Sequence, residues 1–263
     1  MKKILFLLTT LLVFSYTTEM YAWGKQGHRV IAEIAEQNLS RRAHRRVIEL
    51  LDNYPMAYWS DWSDAIRSDT TDQYTRTLIW HYINIPSNLN RTDFQNSVYN
   101  FHQENVYFAV NYLQEILRDR NTSEREKAIA LRHLIHFVGD LHNPMHTARE
   151  EDLGGNRIIV TWFGNERNLH SIWDSGVVDD NYSYTEYANI LNGVLTRDCR
   201  RTIQQGNPID WLWETYQITN QIYAGVKAGD RLSFSYTYKW TPTVEQQFQR
   251  AGIRLAHILN DIF

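Results

Sequence analysis

The stretch RHLIHFVGDLHNPMH, residues 132–146, constrains this chain more than any other. A helical pattern begins near Ser123 and runs to Gly139, and the Asn143-Pro144 pair ends it, because a residue ahead of proline avoids helical dihedrals. Inside that helix His136 and Asp140 stand four residues apart, so they project from one face and can hold the same ion. His146 follows the break and can turn back toward the same end. His133 and His142 are read as ordinary histidines.

Other parts of the chain repeat this chemistry. NLHSIWD places His170 and Asp174 at the same spacing on a second helix, WSDWSDAIR offers Asp64 three residues before Arg67, and WHYIN sets His81 in an apolar extended segment. An imidazole there without a partner would be costly. With His28 in AWGKQGH the chain has eight candidate ligands, His28, Asp64, His81, His136, Asp140, His146, His170 and Asp174, too many for one ion. Cys199 is the only cysteine, which excludes a thiolate site and an internal disulfide. Imidazole and carboxylate donors of this kind suit catalytic Zn²⁺, where an open position keeps a water.

Helical periodicity dominates elsewhere. Val30, Ile31, Ile34 and Ala35 line one face of a first helix, and Ser40 caps a second through Val47, Ile48 and Leu51. Leu78 to Ile85 reads as extended and closes at Pro86. Asp93 to Arg118 reads as helical, GGNRIIVTWFGNERN as a loop and a small hairpin, and helices are expected at about 169–178, 185–197, 208–226 and 243–262. Trp211, Trp213, Tyr216 and Tyr223 at helical spacing belong to the core or line a groove. His257 and Asp261 in the last helix stay unassigned. The fold class is mainly α, a single domain with one small hairpin.

The first residues, MKKILFLLTTLL, have the charged-then-apolar order of a secretory signal peptide, too short to anchor in a bilayer. Cleavage after Ala22 gives residues 1–22 as the leader and 23–263 as the mature domain, secreted or periplasmic, with no membrane anchor. Export without disulfides points to a bacterial source. The whole chain carries a formal charge of −3, and losing Lys2, Lys3 and Glu19 takes it to −4. That argues against a long basic stripe for duplex DNA, while bound metal would still create a local anion site.

The ordered motifs now have a match. Trp-Gly-x-x-Gly-His at 23–28, Trp-Ser-Asp-x-x-Arg at 62–67, His81-Tyr82, His136-x-x-x-Asp140 with His146, Gly154-Gly155-Asn156 and His170-x-x-x-Asp174 resemble the zinc-dependent single-strand-specific nucleases and 3′-nucleotidases, within the phospholipase C/nuclease superfamily. The resemblance implies a helical bundle with a cluster of three Zn²⁺ at one end. By position Asp64, His81, His136 and Asp140 would hold one ion. Asp140 would bridge to a second, held by His28 and by the α-amine and carbonyl of Trp23; His146, His170 and Asp174 would hold the third. It implies attack on phosphorus by a metal-activated hydroxide, with Asp64 orienting the water and Arg67 steadying the transition state. Single-stranded DNA, RNA and 3′-nucleotides would be the substrates, cut to 5′-phosphorylated products by a monomer. Tyr82 would stack a base, Leu153 and Asn156 would form the opposite wall, and Asn84 stands where the family often has an acidic residue, so base preference would differ or broaden. Lacking disulfides, the fold would depend on its metals. A phospholipase C is the alternative enzyme, although the compact Trp23-to-His28 interval favours a nuclease. A non-catalytic zinc-binding module is the third reading, opposed by Arg67 and the Gly154-Gly155-Asn156 loop.

Overall fold

A computed structural model describes residues 23–71, 73–178 and 181–263. The expected leader, residues 1–22, lies outside the described residues. Helix α1 (Gly24–Gln37) buries Val30, Ile31, Ile34 and Ala35. Ser40 starts α2 (Arg41–Leu50), its hydroxyl accepting from the Ala43 amide and satisfying one of the orphan donors of a first turn. Two single-turn helices follow, α3 (Met56–Trp59) and α4 (Trp62–Ala65), then a 3₁₀ turn at Thr75–Ile79 and the two-residue strand β1 (Ile83–Asn84).

Helix α5 (Arg91–Tyr99) leads to α6 (Val106–Arg118), which packs along α7 (Glu124–Leu141). Ser123 and Glu126 form a reciprocal capping box at the start of α7, and the helix stops two residues before Asn143-Pro144. Strand β2 (Thr147–Ala148) pairs in parallel with β1. Strands β3 (Ile159–Trp162) and β4 (Asn165–Asn168) form the hairpin, joined by Phe163 and Gly164, both at positive φ, 47° and 86°. Two positive φ angles suit a two-residue turn whose twist matches the strands. The single-turn α8 (Leu169–Ser171) runs into a π-helical turn at Ile172–Gly176. Then come α9 (Tyr184–Gly193), α10 (Arg197–Ile203), α11 (Pro208–Ala224), β5 (Arg231–Leu232) and the long α12 (Phe234–Ile262).

The core has two parts. One gathers Phe94, Phe137, Trp211 and Leu255 between α5, α6, α7 and α12; the other gathers Trp23, Trp173, Tyr187 and Phe248 between α1, α9 and α12. Gly252 lets α12 cross close under α1, since a Cβ there would meet Ile34 at 2.6 Å.

Four expectations need correction. Leu78 to Ile85 is extended only at Ile83–Asn84; Thr75–Ile79 is a 3₁₀ turn in which the Thr77 hydroxyl donates to the Tyr74 carbonyl. The helical span Asp93–Arg118 is two helices, because Asn100 caps one end and the Asn105 side chain accepts from the Tyr107 and Phe108 amides to start the next. The last helix begins at Phe234, not 243, with Pro242 inside it; Tyr236 and Trp240 pack against Trp162 and Trp173, and that burial outweighs the one backbone bond a proline removes. β5 joins the hairpin through β3 as a third strand, and the β1–β2 pair is a second small sheet.

Candidate metal centre

Six segments deliver the candidate ligands to one buried locus: α1 brings His28, α4 brings Asp64, the turn before β1 brings His81, α7 brings His136 and Asp140, the 3₁₀ turn at Pro144–His146 brings His146, and α8 with the π-helical turn brings His170 and Asp174. All eight side chains are buried. Gly139 makes the approach of α1 to α7 feasible, because a Cβ there would sit 2.9 Å from His28 Nδ1.

Asp140 is the hub. Its Oδ2 lies 3.0 Å from His81 Nδ1 and 3.2 Å from His136 Nε2, while Oδ1 lies 3.4 Å from His28 Nε2 and 3.6 Å from His146 Nδ1. Asp64 Oδ1 stands 3.6 Å from His81 and 3.7 Å from His136. Asp174 reaches His170 Nε2 at 3.2 Å and His146 Nε2 at 3.6 Å. Three groups therefore have converging donor atoms: His28 with His136 and Asp140, Asp64 with His81 and His136, and His146 with His170 and Asp174.

Backbone carbonyls set the imidazole tautomers. His136 Nδ1–H donates to Ser60 O at 2.7 Å, His146 Nδ1–H to His81 O at 2.7 Å, and His170 Nδ1–H to Gly154 O at 2.6 Å. In the neutral ring each bond leaves an Nε2 lone pair facing the carboxylates, the arrangement expected of metal-binding histidines. The Asn143 amide donates to Asp174 Oδ1 at 3.0 Å and fixes that carboxylate.

Among themselves the side chains divide protons unevenly. Burial, helped by the His136 charge, drives His28 down to about 3, and burial, with smaller help from the His136 and Arg67 charges, carries His81 to about 4 against the pull of Asp140. For His136 burial acts downward too, but Asp140 and Asp64 outweigh it and lift the ring to about 9; Asp140 and Asp174 do the same for His146. Burial would raise Asp140, yet the His136 and His146 charges hold it well below the usual carboxylate range. Burial raises Asp64 to about 6 and lowers His170. Yet both ring nitrogens of His28, His81 Nε2, His146 Nε2, Asp64 Oδ1 and Asp140 Oδ1 are buried without a hydrogen-bond partner. Unpaired buried polar atoms cost about 1–3 kcal/mol each, so protons do not satisfy this set. Cations at the convergent points would, and the residues present fit them.

A cleft of about 350 Å³ opens beside the His146–His170–Asp174 group. Arg67, Tyr82, Asn84, Leu153 and Asn156 line it, with Leu78, Met145, Gly154 and His170 completing the wall. The Arg67 guanidinium stands 3.7 Å from Asp64. Leu153, Gly154 and Gly155 all have positive φ, 55°, 68° and 84°. The bend points the Gly154 carbonyl at His170 and leaves Leu153 half exposed on the rim.

The S1/P1 Nuclease family model matches residues 23–263. The chain belongs to the S1/P1 nuclease family. It is 28% identical to Endonuclease 2 of Arabidopsis thaliana over 99% of this chain and 97% of that one, and 28% identical to Endonuclease 5 of the same plant over 92% and 90%. Nuclease P1 of Penicillium citrinum is 27% identical over 91% of this chain and 97% of its own. Its relatives are nucleases, and this S1/P1 chain is a hydrolase of phosphodiester bonds.

Of the residues singled out for the site in this S1/P1 chain, the eight His and Asp side chains converge in the donor groups, and Arg67, Tyr82, Asn84, Leu153 and Asn156 line the cleft. At Trp23 the carbonyl accepts from the Gly27 amide at 3.1 Å, and the ring is fully buried, with the indole N–H donating to Gly139 O at 2.9 Å. His142 is structural, between the Val138 carbonyl and Arg254. Three supports escaped the sequence reading. Asn143 looked like a helix breaker only. Ser63 and His133 face each other at 3.0 Å beside Asp64. Asp152 Oδ1 accepts from the Gly155 amide at 2.7 Å and from the Tyr223 hydroxyl at 2.9 Å, so α11 pins the loop carrying Leu153. Spacing gives no signal for these pairs, since each joins distant segments.

Proposed function

We propose that the chain is an exported zinc-dependent phosphodiesterase, secreted or periplasmic and monomeric, that cuts single-stranded DNA and RNA to 5′-phosphorylated products and removes 3′-phosphates from nucleotides. The observation that carries this reading is the cleft: an arginine, an exposed aromatic ring and two amides meet directly beside a buried nitrogen and oxygen donor cluster. Donors without a thiolate suit Zn²⁺, and three ligand groups support three ions per chain. When bound, Zn²⁺ supplies an acidified water and compensates the charge of the phosphate.

The chain's own residues do the rest. Asp64, buried with Oδ1 unpaired, orients the water. Arg67 offers its planar fork to phosphate oxygens and is most useful when a fifth oxygen adds charge. Tyr82 and Leu153 clasp one base, and the Asn84 amide both donates and accepts along the base edge. A base still stacked in a duplex cannot enter such a slot without paying for unstacking, which favours unpaired strands.

The direct test offers the protein single-stranded and duplex nucleic acid alongside phosphatidylcholine, with metal analysis of the same sample. Faster cleavage of single strands and about three zinc ions per chain are expected; preferential hydrolysis of phosphatidylcholine would overturn the reading. A second test concerns Trp23. Its α-amine can ligate zinc only when no peptide bond precedes it, so a form retaining residues ahead of Trp23 should lose an ion and most activity. Full activity in that form would remove Trp23 from the ligand set.

A further inference from the structure

A second cleft, about 460 Å³, lies on the other side of the segment that walls the first. Its walls come from the Thr75–Ile79 turn, α6 and α7: Tyr74, Trp80, Tyr112 and Ile116 supply aromatic and apolar surface, and His133 closes the floor. Arg76 lies over the Trp80 and Tyr112 rings at 5.4 and 5.1 Å, but Glu104 holds that guanidinium through bonds to its Nε and Nη2. With that charge neutralised, the cleft is no phosphate receptor.

What distinguishes it from a plain apolar groove is His133. The ring is 2% exposed; Nδ1 faces Ser63 Oγ at 3.0 Å, and Nε2, on the opposite edge, has no hydrogen-bond partner. Tyr74 and Trp80, both lining the cleft, flank the ring at 6.2 and 6.1 Å, and His133 itself lines the cleft between α6 and α7 with that nitrogen unpaired. A flat occupant with a polar edge satisfies the aromatic walls and the orphan nitrogen together; an acyl chain satisfies only the walls.

We propose that this cleft is a second nucleobase site, with the base lying against Trp80 and Tyr112 and its edge bonded to His133 Nε2. The identification of a base rests on the nucleic-acid reading above. The geometry also relates the two sites. Leu78 and Tyr82 face the first cleft, Arg76, Thr77 and Trp80 the second, so one short segment separates them. The occupant is either a further base of the strand being cut or a free nucleoside.

The experiment uses the metal-loaded enzyme and adenosine, which has no phosphate to engage Arg67. Adenosine binding is measured by calorimetry in the wild type, in Tyr82→Ala, in Ile116→Trp, which fills the second cleft from its rim, and in Tyr112→Ala, which removes a wall. Binding should persist in Tyr82→Ala and weaken about tenfold in both Ile116→Trp and Tyr112→Ala, as expected when a stacking surface is lost. Should Ile116→Trp fail to fold, Tyr112→Ala alone decides. Unchanged adenosine affinity in a folded second-cleft variant overturns the proposal, as does complete loss in Tyr82→Ala. The source is read separately. A raised KM for short oligonucleotides in Ile116→Trp, with the 3′-nucleotide KM unchanged, identifies a base of the strand; altered adenosine binding with both KM values unchanged identifies a free nucleoside. If the enzyme cut no nucleic acid at all, the function proposed above would fail while the adenosine measurement still reported on the cleft.

Discussion

At the scale of single residues, the side chains proposed to touch ions or phosphate and those that hold them in place should fail differently. Asp64→Asn keeps the shape but weakens a ligand and the orientation of water, so zinc content and turnover should fall together. Arg67→Ala removes the group proposed to act as charge builds on phosphorus; kcat should drop by roughly 10²–10³, with Arg67→Lys recovering only part because an ammonium lacks the fork. Asp152→Ala acts at one remove. It leaves the Gly155 amide and Tyr223 hydroxyl without their acceptor and frees a loop bent at three successive positive φ angles. Steady-state kinetics should show KM rising several-fold with kcat less affected, and Tyr223→Phe should reproduce a milder version. Equal losses in kcat for Asp152→Ala and Arg67→Ala would mean that Asp152 does more than pin the loop.

Among the elements, α7 carries most of the burden, presenting His136 and Asp140 to the centre, His133 to the second cleft and Gly139 to α1. Gly139→Ala would drive a methyl into His28 Nδ1, 2.9 Å away. Overpacking of this kind costs about 1–3 kcal/mol, and here it also pushes His28 off Asp140. Denaturant unfolding and metal analysis should both register the change. This helix was also the most legible element: its cap, its stop at Asn143-Pro144 and its four-residue ligand spacing are all local. The same locality made His170 and Asp174 readable. Legibility failed where tertiary packing decided the outcome. Leu78 to Ile85 looked extended throughout because its apolar residues are close together, and α12 starts before Pro242 because Trp240 and Tyr236 have partners far along the chain. The Ser63–His133 and Asp152–Tyr223 pairs join residues 70 and 71 positions apart, beyond any periodicity.

For the whole molecule, the centre ties α1, α4, the turn before β1 and α7 to the turns after α7, and the described residues hold no disulfide, with Cys199 free and exposed. Ions that bind only the folded chain stabilise it by mass action, so chelation should lower the melting temperature by at least about 5 °C as it abolishes activity. Acid should act in the same direction by another route. Burial lowers His133 to about 3 and His142 well below its usual value, so both stay neutral when folded. Below about pH 6.5 the unfolded chain takes up protons that the folded chain refuses, and stability falls as pH falls toward 3, by up to about 1.4 kcal/mol per pH unit for each ring. Guanidinium unfolding at pH 7.5, 6 and 5 should trace this decline, with a shallower slope in His142→Gln. The segment between the two clefts has a consequence for how such a chain can vary in length. Trp80, His81 and Tyr82 are consecutive, yet one faces the second cleft, the next the metal centre and the third the first cleft. A single inserted or deleted residue there would shift all three out of register, offering an indole or a phenol where an imidazole belongs. The Phe163–Gly164 turn, bordered by open space, should accept extra residues that residues 80–82 would never tolerate.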